Sequence, residues 1–151
     1  MKKSLVAIAV VLITASLSAC GDSWDSGATP TQNNSLARTQ VERFLKDVQT
    51  KNTADLGGFL APNFQNLRTD GTKANKQTYI PNLPTLRTYK IGTVNGLEYS
   101  DTLTVTWMAA LDFTVDGKRY VGTANPFVSV FIKRDGEWRM LVNGNFTHPP
   151  K

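Results

Sequence analysis

Thr102-Leu103-Thr104-Val105-Thr106-Trp107-Met108-Ala109-Ala110-Leu111-Asp112-Phe113-Thr114-Val115 is the stretch that decides the fold. Its apolar residues recur with a period of two, which belongs to an extended strand and not to a helix. Leu103, Val105, Trp107, Ala109, Leu111 and Phe113 share one face, and Thr104, Thr106, Met108, Ala110, Asp112 and Thr114 share the other. The first set is the core face; the threonine-rich set faces out.

Around this strand, Asn95-Gly96, Asp116-Gly117 and Asp135-Gly136 are pairs able to take positive φ and so to close hairpins. They predict an antiparallel meander with strands near 86–94, 102–115, 120–133 and 137–146. Upstream, Leu36, Ala37, Val41, Phe44, Leu45 and Val48 form one apolar stripe at helical spacing, with Ser35 as the expected N-cap. Thr53 is expected to cap a second, short helix through Leu56, Phe59 and Leu60 that Pro62 ends and Gly57-Gly58 weakens. Phe64 and Leu67 are expected beneath it. A further turn or two is predicted within 73–83, with Tyr79, Ile80 and Leu83 inward and Pro81 keeping it short. Helices first and strands later define an α+β layer fold.

The N-terminus carries an address. Met1-Lys2-Lys3, the apolar run from Leu5 to Ala15 and Leu17-Ser18-Ala19-Cys20 resemble a bacterial lipoprotein signal. The apolar run of about a dozen residues falls short of the ~20 that a spanning helix needs, so residues 1–19 are read as a removable signal peptide. Cys20 is the chain's single cysteine, which rules out an internal disulfide, and acylation would remove a stray thiol. Two or more acyl chains on Cys20 make a stable membrane anchor. Gly21, where retention in the inner membrane would need an aspartate, points to the outer membrane if the cell is Gram-negative.

Residues 20–34 read as a lipidated tether, rich in Gly, Ser, Thr, Pro, Gln and Asn, with a reach of about 20–25 Å. Trp24 within it suits a lipid headgroup layer and an incidental exposed aromatic equally, and no function is attached to it. Residues 35–148, about 115 in number, suffice for one domain with its own core. The chain carries 17 Lys+Arg against 12 Asp+Glu; losing Lys2 and Lys3 with the leader leaves 15 against 12, a net +3. That mild charge, with the basic pairs Lys118-Arg119 and Lys133-Arg134 placed beside turns, argues against nucleic acid.

Val41-Glu42-Arg43-Phe44-Leu45, the step Leu60-Ala61-Pro62-Asn63-Phe64 and the ending Arg134-Asp135-Gly136-Glu137-Trp138-Arg139-Met140-Leu141-Val142 with Asn145-Phe146 resemble SnoaL-like domains of the nuclear transport factor 2-like superfamily. The resemblance covers residues 36–146. It implies a cone-shaped α+β barrel, in which a curved antiparallel sheet of about four long strands wraps around two to three N-terminal helices and leaves a pocket between them. This superfold hosts isomerases, dehydratases, cyclases, carrier modules and oligomerisation domains, so the fold does not choose the function.

Three functions follow as expectations. The first is a lipid-anchored envelope domain that binds a small apolar ligand or a protein partner, with Tyr79, Tyr99, Trp107 and Asn145 as ligand-binding candidates. The second is an isomerase, dehydratase or cyclase with Asp112 as base and Tyr89 polarising a carbonyl oxygen. It requires Asp112 to point inward, against its parity. The third is a structural dimer, because Phe127-Val128-Ser129-Val130-Phe131-Ile132 is apolar on both faces and a second copy would cover the outer one. His148 is the only histidine, so neither a histidine pair nor a zinc site of the usual ligands is expected, and no glycine pattern implies a cofactor.

Overall fold

The computed structural model describes residues 29–146. The expected signal peptide (residues 1–19), Cys20, Trp24 and His148 lie outside the described residues. The elements are β1 (Thr31–Gln32), α1 (Asn34–Thr50), α2 (Thr53–Phe59), β2 (Leu60–Leu67), β3 (Lys73–Asn75), α3 (Lys76–Tyr79), β4 (Thr85–Tyr99), β5 (Thr102–Val115), β6 (Lys118–Val121), β7 (Asn125–Arg134) and β8 (Glu137–Asn145). One curled, unclosed sheet runs in the order β1-β4-β5-β7-β8-β2-β3, with β6 paired to β5. It is antiparallel except where β2 runs parallel to β8. The α+β architecture and the four long strands β4, β5, β7 and β8 agree with the sequence reading.

Alternation in β5 holds as read. Leu103, Val105, Trp107 and Ala109 are at most 2% exposed, while Thr104 and Thr106 face solvent. Two of the three expected turns form: Asp116 and Gly117 take φ 51° and 76°, and Asp135 and Gly136 take 54° and 81°. Positive φ at both central residues matches the right-handed twist of the flanking strands.

Asn95-Gly96 makes no turn. β4 runs through it to Tyr99, and the chain reverses at Ser100, φ 50°, and Asp101. Gly96 serves a close approach instead, since a Cβ there would stand 2.6 Å from both the Ala37 Cβ and the Asn33 carbonyl oxygen. Gly96 N–H donates to Asn34 Oδ1 at 3.0 Å, and its carbonyl accepts from Asn33 N–H at 2.9 Å. These bonds seat the start of α1 on the sheet. They also explain its cap, because Asn33 Oδ1, not Ser35, accepts the Leu36 N–H.

Other boundaries shift as well. Asn52 rather than Thr53 caps α2, and the helix stops at Phe59. Leu60–Leu67 is a strand, irregular between Leu60 and Gln65, and that irregular stretch accommodates Pro62 where it has no N–H to give a ladder. The 73–83 segment is a short strand followed by a four-residue helix. The single strand expected at 120–133 is two, β6 and β7. Within the stretch expected as tether, Thr31 and Gln32 pair with Glu98 and Leu97 at the sheet edge.

The core lies between helices and the concave face. Phe59 of α2 meets Phe131 of β7 with ring centres 6.0 Å apart, and Tyr79 stands 5.4 Å from Phe64 and 6.3 Å from Phe44. Each such buried ring contributes roughly 1.5–3 kcal/mol.

Candidate functional site

At the end of the sheet where β5 meets β6, the concave face is incompletely covered and a cavity of about 610 Å³ opens. Phe44, Tyr79, Leu111 and Phe113 line it together with Trp107 and Phe127, whose rings stack 4.2 Å apart at 16°. Tyr79 is buried, and burial pushes its hydroxyl well above the ordinary tyrosine value, so it is a neutral phenol.

One wall is polar and uncharged. Trp107 Nε1–H donates to Ser129 Oγ at 3.0 Å, Ser129 O–H donates to Asn143 Oδ1 at 2.9 Å, and Asn143 Nδ2–H donates to Asn66 Oδ1 at 2.9 Å. Strand register builds this row, because Ser129 pairs with Asn143 across β7 and β8, and Asn143 with Asn66 across β8 and β2. Asn145 lies two residues further along β8 on the same face, roughly 7 Å away. Its buried Oδ1 has no hydrogen-bond partner among the described residues. At the rim stand Arg68, Asp70, Asp116 and Arg119, of opposed signs, with the exposed Tyr120 and Val121.

The structure brings Tyr79, Trp107 and Asn145 together in this cavity. Tyr99 is elsewhere, at the far end of β4 opposite Thr102. Asp112 points outward, as its parity requires, and is held by Arg119: Nε at 3.0 Å from Oδ1 and Nη2 at 2.8 Å from Oδ2. Arg87 adds a contact at 3.8 Å. The hydrogen bonds from Arg119, and then its charge and that of Arg87, hold the Asp112 carboxyl below the usual carboxylate range against a partial desolvation that opposes them.

Asp112 pairs with Thr88, and Tyr89 with Leu111, so Asp112 and Tyr89 occupy opposite faces of the sheet. The expected base and polarising tyrosine are not assembled. Tyr89 instead borders a second, more open cleft of about 730 Å³ beside α1, shared with Asp47 and Asp55. Burial, and then the charge of Asp55, push the Asp47 carboxyl above its ordinary value.

Ser129, Asn143 and Asn66 were not singled out from sequence. The signal for one of them was present, since Ser129 alternates with the inward Phe127 and Phe131; Asn143 faces inward only because the bulge between Met140 and Val142 reverses the parity of β8. A polar residue at an inward parity position either has a partner or serves a site.

The chain has the NTF2-like fold, a curved, unclosed sheet wrapped over helices with a pocket at one end. It resembles an NTF2-like protein from Cytophaga hutchinsonii at 14% identity and TM-score 0.70, covering 75% of this chain and 96% of that one. It also resembles an NTF2-like protein of unknown function in nutrient uptake from Rhodospirillum rubrum, at 17% identity and TM-score 0.67, over 74% of this chain and 98% of that one. A candidate scytalone dehydratase from Novosphingobium aromaticivorans matches at 10% identity and TM-score 0.59, over 72% and 78%. No family model matches the chain, and no curated protein does.

Proposed function

We propose that this protein is a lipid-anchored bacterial envelope domain that binds a small, largely apolar ligand in the cavity between Trp107, Phe127 and Tyr79. The observation that carries the reading is the cavity itself, with a stacked aromatic wall and the orphaned Asn145 Oδ1 facing no protein donor. An unpaired buried carbonyl costs about 1–3 kcal/mol, which a bound donor would recover. The outward, arginine-held Asp112 and the separate Tyr89 support binding over an isomerase, dehydratase or cyclase built on that pair. The anchor rests on Cys20 and the leader.

The test is native mass spectrometry of the full chain extracted from membranes. The expected result is a mature N-terminus at an acylated Cys20 and a stoichiometric small-molecule adduct, lost in Leu111→Arg, which drives a charged chain into the cavity. An unacylated or uncut chain contradicts the anchor, and an adduct unaffected by Leu111→Arg contradicts the site.

A homodimer is the second element of the proposal. Val128, Val130 and Ile132 of β7 point to the outer face and are only half-buried there, with Val142 of β8 opposite Val130. Sheet-to-sheet contact would cover this row, and solution mass at twice the chain mass is the expected outcome.

A further inference from the structure

We infer that the cavity selects an uncharged ligand, a ring-bearing body with one hydroxyl or amide group, and that Asn66 and Asn145 read that group. The inference rests on the cavity being a ligand site and names the ligand's chemistry. Its basis is the direction of the hydrogen-bond row. An indole N–H only donates, so Ser129 Oγ must accept from Trp107, and its one hydroxyl hydrogen goes on to Asn143 Oδ1. That orients the Asn143 amide with its nitrogen toward Asn66 Oδ1, which in turn leaves the Asn66 NH₂ as the end of the row, at the cavity wall. No amide in the row is free to flip without breaking a bond.

The wall therefore offers donors at Asn66 and, one step along β8, a buried acceptor at Asn145 Oδ1 that lacks a donor. A hydroxyl or a primary amide satisfies both, because each donates and accepts. A carboxylate accepts only; it would leave Asn145 Oδ1 unpaired, and its charge could be met only by Arg68, the one lining cation without a carboxylate partner among the described residues. Of the charged residues of the lining, Arg119 is already held by Asp112, and Arg68 stands near Asp70. The stacked Trp107 and Phe127 suit an aromatic or alicyclic body.

Isothermal titration of the full chain near neutral pH with 2-naphthol, 2-naphthoate and naphthalene tests this. 2-Naphthol is expected to bind about tenfold more tightly than either, the gain of one well-made buried hydrogen bond. Asn145→Leu, checked for an unchanged melting transition, is expected to lose about that tenfold for 2-naphthol and nothing for naphthalene. Naphthoate binding as tightly as naphthol, by way of Arg68, overturns the inference, as does naphthalene equalling naphthol in the unaltered chain. Either leaves the ligand site standing. Failure of all three probes to bind removes the site as well.

Discussion

The two halves of β5 share one strand, one alternation and one inner face, yet differ in what stands over them. From Leu103 to Ala109 the inward side chains are almost wholly buried, with Phe59 against Phe131 opposite Leu103 and Ala37 against Gly96 opposite Val105. From Leu111 to Val115 they are half-buried and border the cavity. Helix α1 spans both halves, from its cap Asn33 bonded at Gly96 to Gln49, which donates to the Arg87 carbonyl near the other end of β4. Over the first half Phe59 and Phe131 fill the interior; over the second, the pocket is the space left between the strand and Phe44, Leu45 and Val48 of α1.

The largest test of that contrast is stability. Phe59→Ala in the covered half is expected to cost about 3–5 kcal/mol, and Leu111→Ala in the open half about 1 kcal/mol or less, by urea unfolding. Equal costs would break the comparison. Gly96→Val adds a side chain where there is no room between α1 and β4, and is expected to cost about 1–3 kcal/mol without touching the cavity. Ser129→Ala removes the middle of the hydrogen-bond row, orphaning Trp107 Nε1–H and Asn143 Oδ1. It is expected to cost about 1–2 kcal/mol and to weaken 2-naphthol binding, which joins the two halves through one residue.

The smallest effect belongs to the outer face. Asp112→Asn removes the pairing with Arg119 and should leave ligand affinity unchanged. Because the folded-state pKa of Asp112 is lowered, its stabilising share is present above the unfolded value near 3.8 and fades as pH falls through the lowered one. Unfolding curves of variant and unaltered chain should thus differ at neutral pH and converge in strong acid. Loss of binding in Asp112→Asn would restore the enzymatic reading.

Much of the fold was legible because it rests on local chemistry. The parity of 102–115 gave the strand, its two faces and the outward Asp112, and Asp-Gly pairs gave two hairpins. Asn95-Gly96 misled because the same dipeptide that suits a turn also suits a close backbone approach, and only the position of Ala37 tells them apart. Leu60–Leu67 was hidden because its parallel pairing with β8 joins residues 77 to 80 positions apart. Of the cavity lining, Tyr79, Trp107 and Asn145 were legible as inward or strand-end residues. Tyr89 was not, since its face depends on bulges between Leu86 and Thr88 and between Ile91 and Val94. The Asn66–Asn143–Ser129 row needs three strands in register, which no single segment encodes.

The most direct test is a proton–nitrogen correlation spectrum of the full chain during titration with 2-naphthol. The account predicts saturable shifts of the Trp107 indole N–H and of the Asn66 and Asn145 side-chain amides, with the Arg119 Nε–H beside Asp112 unmoved. Shifts centred on Arg119 and Tyr89, with the Trp107 indole unchanged, would contradict it.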